Sequence, residues 1–133
     1  MKKLNKKKGI VFWVTGLPGS GKTTIAKKIK KQIEKNYGRT ILFSGDDLRK
    51  ISSFESYDKT KRFLYAKSYS RLVQNISNQN INVIMATVAL FKKIHLWNRK
   101  NIKNYCEIYI ESKTKEIIKN KKKKNCILYL RKI

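Results

Sequence analysis

Cysteine, proline, histidine and acidic residues are all scarce in this chain, and each scarcity excludes something. Of 133 residues two are Cys, one is Pro, one is His and eight are Asp or Glu. Cys106 and Cys126 lie far apart and form no C-x-x-C, so neither a disulfide framework nor a cysteine zinc site is available, and both read as reduced thiols. His95 has no second histidine to join it, which argues against a histidine metal centre. No Pro- or Gly-rich linker and no internal repeat divides the chain, and residues 1–133 read as a single domain. The start, MKKLNKKKGIVFWVTGL, is basic and then apolar, like a secretory signal. Its apolar run continues into a glycine loop with no small-residue cleavage site. No run approaches the ~20 apolar residues of a membrane span. The expectation is a cytoplasmic protein without a membrane partner.

What is abundant is lysine. Lys and Arg number 33, for a formal charge of +25. A surface of that sign attracts polyanions, nucleic acid included. Lys, Asn and Ile are enriched together, however, as an A- and T-rich genome would produce with no binding role. Hydrophobic residues make up 41% and aromatics 11%, which excludes a disordered polyelectrolyte. No nucleic-acid-binding motif accompanies the charge, so nucleic acid is not the expected partner.

The hydrophobic pattern alternates between strand and helix. Gly9–Thr15 (GIVFWVT) is a continuous apolar, β-branched run suited to a strand buried on both faces. Ile25, Ile29 and Ile33 mark one face of a helix that Gly38 would stop. Thr40–Ser44 reads as a second strand. From Asp58 to Gln79 the recurrence of Phe63, Ala66, Tyr69, Val73 and Ile76 predicts a helix. Ile81–Thr87 and Tyr105–Glu111 read as strands, with a helical segment around His95–Lys103 between them. Such alternation predicts an α/β fold, with helices on both faces of a mostly parallel sheet.

Between the first strand and the first helix stands GLPGSGKT, a full match to G-x-x-x-x-G-K-[ST]. Glycine at Gly16, Gly19 and Gly21 lets the backbone of Gly16–Thr24 (Gly16, Leu17, Pro18, Gly19, Ser20, Gly21, Lys22, Thr23, Thr24) turn its N–H groups onto phosphate oxygens at a helix N-terminus. Lys22 would reach the β- and γ-phosphates of ATP, and the Thr23 hydroxyl would ligate Mg²⁺. The required context, a buried strand before and an amphipathic helix after, is met. The fold expected is therefore the three-layer αβα P-loop NTPase. Thr24 extends the hydroxyl run or caps the helix.

At the end of the second strand comes SGDDLR. Ligands of doubly wound sheets bind beyond the carboxyl ends of the strands, so this turn should face the phosphate loop. Phosphoryl transfer to a hydroxyl needs a carboxylate to orient the acceptor or hold Mg²⁺. Asp46 is the better candidate for both roles and Asp47 the spare; either could instead cap the helix that follows. Arg49 could grip an anionic substrate.

Together, FWVTGLPGSGKTTIAKKI, then FSGDDLR, then ATVALFKKIHLWNRKNIKNYCEIYIE resemble the adenylylsulfate kinase family. The later block is similar to a compact branch of it found among bacterial surface-polysaccharide genes. The resemblance implies ATP-dependent phosphorylation of the ribose 3′-hydroxyl of a small nucleotide. In the catalytic centre it places Lys22 and Asp46, with Thr23 and Asp46 on the metal. On the acceptor it places Asp46, Arg49, Phe54, Lys59 and Arg62, with Phe54 stacking on the base. Adenylylsulfate is the leading acceptor, cytidine diphosphoramidate the alternative, and an inactive remnant or a basic nucleic-acid binder the readings from other classes. Family members are often dimers.

The departures fall on the acceptor side. Ser44 replaces the first Asp of D-G-D, the stretch from Arg49 to Phe54 is short, Arg62 stands near a usual Asn, and the Ser-Pro after the third strand is replaced. At the C-terminus the family continues into a basic lid and further elements, whereas here Lys121–Lys124 lead to NCILYLRKI. Residues 121–133 are atypical. Asn125–Ile133 reads either as out-of-frame sequence after slippage in an adenine tract, with the last part of the fold missing, or as a short strand.

Overall fold

The computed structural model describes residues 9–53, 58–111 and 127–132. The elements are β1 (Val11–Gly16), α1 (Lys22–Tyr37), β2 (Thr40–Ser44), α2 (Gly45–Ser52), α3 (Lys59–Asn78), β3 (Asn82–Thr87), α4 (Lys92–Asn101), β4 (Tyr105–Glu111) and β5 (Ile127–Lys132). They form one five-stranded sheet in the order β2-β3-β1-β4-β5. The first four strands are parallel, and β5 runs antiparallel on β4. The chain thus has the α/β layout that the alternation predicts. The segment that reads as either slipped frame or short strand contains a strand over Ile127–Lys132. Lys121–Cys126 and Ile133 lie outside the described residues, as does Phe54.

β1 sits between β3 and β4 and has no solvent face. Alternate residues feed two separate cores, as the period of two requires. Val11 and Trp13 join Val83, Met85 and Tyr105 under α3 and α4; Val14 joins Ile84, Ala86, Ile108 and Ile110 under α1. The expected helix faces are the ones that pack. Ile25, Ile29 and Ile33 meet the α1-side core, and Phe63, Ala66, Tyr69, Val73 and Ile76 meet the other.

Two helices start differently from expectation, and α2 is capped by neither Asp46 nor Asp47. α4 begins at Lys92 rather than near His95, because the Phe91 carbonyl already accepts from the backbone N–H groups of Ile94 and His95. Residues 45–52, which carry no long apolar period, form α2. Ser44 starts it by accepting from the Asp47 N–H at 3.1 Å, so the residue that departs from D-G-D is the helix cap. Among the described residues no helix is long and apolar enough to cross a membrane.

The start of β1 is held tightly. The Gly9 N–H donates to the Ser77 carbonyl at 2.9 Å, and the Val83 N–H donates to the Ile10 carbonyl at 2.9 Å. A Cβ on Gly9 would stand 2.0 Å from the Ile81 carbonyl oxygen, which is backbone and cannot rotate away. Gly9→Ala should destabilise the chain by about 2 kcal/mol in urea unfolding, the usual scale of an overpacked site. An unchanged midpoint would show that this approach does not set the β1–β3 register.

Candidate active site

The phosphate loop occupies the carboxyl end of β1. Gly16 must be glycine for reasons of space: a Cβ there would lie 2.8 Å from both the Ile110 carbonyl oxygen and Ser20 Oγ. Gly19 and Gly21 have φ of 77° and 89°, a region that glycine occupies without strain. Gly21 is the N-cap position of α1, with no side chain capping that end. The first N–H groups of α1 therefore remain open to an anion. Lys22 reaches back over the loop and its Nζ donates to the Leu17 carbonyl at 2.9 Å. Burial pushes the Lys22 ammonium below the ordinary lysine range, and the Asp46 carboxylate partly opposes this. A half-buried cation whose acceptor is a neutral carbonyl fits a phosphate site: an incoming phosphate would supply the missing negative charge.

The loop is one wall of an open cavity of about 840 Å³. Pro18, Gly19 and Gly21–Thr24 line it on that side, with Ser44, Gly45, Asp46 and Arg49 from the β2–α2 turn. Lys59, Arg62, Tyr65 and Tyr69 of α3 and the Thr87–Phe91 segment after β3 complete it. The structure therefore brings the P-loop, Asp46, Arg49, Lys59 and Arg62 to one cavity. Gly16, Leu17 and Ser20 are not among the residues lining it, and Phe54 lies outside the described residues. Asp46 is largely exposed and forms an ion pair with the Arg49 guanidinium one turn on. That pairing presents a carboxylate and a guanidinium side by side. Asp47 and Asp46 also stand in the first turn of α2, where the helix dipole favours negative charge.

A magnesium ion would have few protein ligands here. Among the described residues no three His, Cys, Asp or Glu side chains converge on a metal position. The Thr23 hydroxyl, at the start of α1, shares the cavity with a single carboxylate, Asp46. That fits a magnesium ion that keeps most of its waters and arrives with phosphates, and not a calcium-type cage.

Sequence reasoning missed a cluster beside this cavity. Glu107 of β4, only 5% exposed, receives Arg99 through Nε at 2.9 Å and Nη2 at 2.6 Å, both on Oε2. His95 Nδ1 lies 2.8 Å from the other oxygen, Oε1. Burial pushes the Glu107 carboxyl up, but the His95 and Arg99 hydrogen bonds and charges together outweigh it and hold the group below the ordinary glutamate range. His95, read from the sequence as lacking a partner cluster, belongs to one. Arg99 pairs with the buried Glu107. The signal was faint: His95 and Arg99 stand four apart on α4, and Glu107 is the single acid inside the apolar β4.

With that geometry in hand, the relatives are informative. A profile of the adenylylsulphate kinase family matches residues 8–131. A cytidine diphosphoramidate kinase of Campylobacter jejuni is 37% identical over 113 residues, 85% of this chain and 66% of that protein. A probable adenylyl-sulfate kinase of Aeropyrum pernix is 30% identical, over 84% of this chain and 64% of its own length. The chain thus spans just under two thirds of these relatives. The Mycobacterium tuberculosis APS kinase in complex with AMPPNP and APS superposes with a TM-score of 0.76 at 17% identity, over 87% of this chain and 70% of that one. At that identity the likeness shows the fold.

The Glu107 cluster generates a stability prediction. A carboxyl held low when folded stabilises the chain above the ordinary glutamate range, and that contribution is lost as pH falls through the lowered value. Glu107→Gln should cost about 3 kcal/mol at pH 7, because it leaves Arg99 without its buried counter-charge. The gap between variant and parent in denaturant unfolding should narrow on acidification. A gap independent of pH would contradict the ion-pair assignment.

Proposed function

This chain belongs to the adenylylsulphate kinase family, and from that premise we propose that it transfers the γ-phosphoryl group of ATP to the ribose 3′-hydroxyl of a small nucleotide. One observation carries the reading: the phosphate loop and the Asp46–Arg49 pair face each other across one cavity. On this reading the N–H groups of Gly19–Thr23 and the Lys22 ammonium hold the phosphates, and Thr23 and Asp46 would hold the water-rich magnesium. When bound, the metal draws charge from the phosphates during transfer. Asp46 accepts a hydrogen bond from the attacking hydroxyl and orients it; Arg49 holds Asp46 in place and turns its remaining donors to the acceptor's phosphate. Lys59 and Arg62 add positive charge on the acceptor side. Phe54 remains the proposed base-stacking residue. The site suits a small anionic acceptor, and the overall positive charge favours its approach.

For the acceptor, two nucleotides remain in view. Adenylylsulfate is the leading one from the family resemblance. Cytidine diphosphoramidate is favoured by the 37% identity to a kinase of that name, against 30% for the probable adenylyl-sulfate kinase, and by the departures concentrated on the acceptor side. Transfer from labelled ATP to each, with magnesium present, separates them. Transfer to one, with kcat reduced at least ~100-fold in Lys22→Ala, is the expected result. Transfer to neither, from folded protein, would overturn the kinase reading for this chain.

A further inference from the structure

The segment after β3 forms the cavity wall between the phosphate loop and α3, and it has no regular structure of its own from Val88 to Leu90. Its middle carbonyl, on the buried Ala89, lies 2.9 Å from His95 Nε2. The other ring nitrogen of His95 lies 2.8 Å from Glu107 Oε1. Neither partner can donate: one is a backbone carbonyl, and the other is a carboxylate held ionised by Arg99. Both contacts are hydrogen bonds only when both ring nitrogens carry a proton. The imidazolium then ties the wall of the cavity to the centre of β4.

We propose that His95 is a positioning residue, set by Glu107 and Arg99, that holds Val88–Leu90 in the place the acceptor requires, and that it does so only while doubly protonated. The part of this that concerns the acceptor rests on the kinase reading; the part that concerns the wall does not. When the ring loses a proton, one N–H remains for two acceptors. The carboxylate attracts it more strongly than a carbonyl does. Nδ1–H stays on Glu107, and the bare Nε2 then faces the Ala89 oxygen, lone pair to lone pair. The wall loses its anchor at that carbonyl. A shift of a fraction of an ångström there is enough to misalign a hydroxyl for in-line transfer.

Further charged and titratable groups stand on α4, on β4 and on α3, which packs against α4. Glu107 and Tyr105 come from β4, and Lys92 and Arg99 from α4 itself. α3 brings Arg71, whose guanidinium lies 5.5 Å from the centre of the Trp97 ring. The post-β3 segment, Val88–Phe91, contributes no ionisable side chain. Among these described groups, the Glu107 carboxylate is the one in direct contact with a ring nitrogen.

His95 is the chain's single histidine, so its ring signals in nitrogen-detected NMR report this site without assignment. The expected result is a doubly protonated ring at the acidic end of a pH titration. The backbone amides of Val88, Ala89 and Leu90 should then move with the same midpoint as the ring, while those of β1 stay still. Amides that ignore the ring's titration, or a ring with a single proton throughout, would overturn the proposal. This readout needs no turnover, so an inactive chain still decides it. With the acceptor identified by transfer, His95→Gln should raise its KM roughly tenfold with the KM for ATP unchanged, the scale of one lost charge-assisted hydrogen bond. His95→Arg, which keeps the charge and two donors, should restore the KM and remove its rise with pH. Equal increases in both KM values would mark a merely structural role and sink the assignment.

Discussion

The close packing of β1 between β3 and β4 is the constraint on which the rest of the molecule depends. With Val11, Trp13 and Val14 fully buried and hydrogen-bonded neighbours on both sides, β1 can neither shift register nor tilt. Its carboxyl end must then turn within the space left by Ile110, which only Gly16 can do. The glycine-rich loop lands at the topological switch of the sheet, where the connection from β1 leads toward β2 and that from β3 leads to β4. The cleft, the helix N-terminus and the reach of Lys22 all follow from that placement.

The few acids are distributed with equal economy. Among the described residues Glu34 pairs with Lys30 on α1, and Asp58 caps α3 by accepting from the Lys61 N–H at 3.3 Å. Asp46 pairs with Arg49 in the cavity, and Glu107 meets Arg99 and His95 beside it. Two of these acids serve single helices, where pairs and caps contribute tenths of a kcal/mol to about 1 kcal/mol. The other two sit at or beside the cavity. In a chain this basic, an acid at 5% exposure inside an apolar strand is the conspicuous one.

Much of the fold was legible because it depends on local period. The apolar run of β1, the four-residue spacing on α1 and the threes and fours of α3 each identify their element from neighbours in sequence. The phosphate loop was legible because phosphate chemistry demands glycines, lysine and a hydroxyl at fixed spacing. α2 was harder, since eight residues carry little periodicity and its start depends on the Ser44 cap. The His95–Glu107–Arg99 cluster was not legible. Its members become neighbours only when α4 folds back on β4, and no local pattern states that a lone histidine will meet a lone buried glutamate. Similarly, the cavity's basic side depends on where α3 crosses, so Lys59 and Arg62 entered through resemblance and not through spacing.

On the proposed reading the loop at the end of β1 is a phosphate site, with Lys22 lowered by burial and tethered to a neutral carbonyl. A phosphate placed against Lys22 must raise its affinity for a proton, so binding at alkaline pH should be accompanied by proton uptake. Calorimetric titration of ATP with magnesium, repeated in buffers of different ionisation enthalpy, measures this directly. Net uptake should grow as pH rises toward the lowered Lys22 value and disappear in Lys22→Ala. Binding of ATP with no proton uptake, or with uptake that survives loss of Lys22, would contradict it.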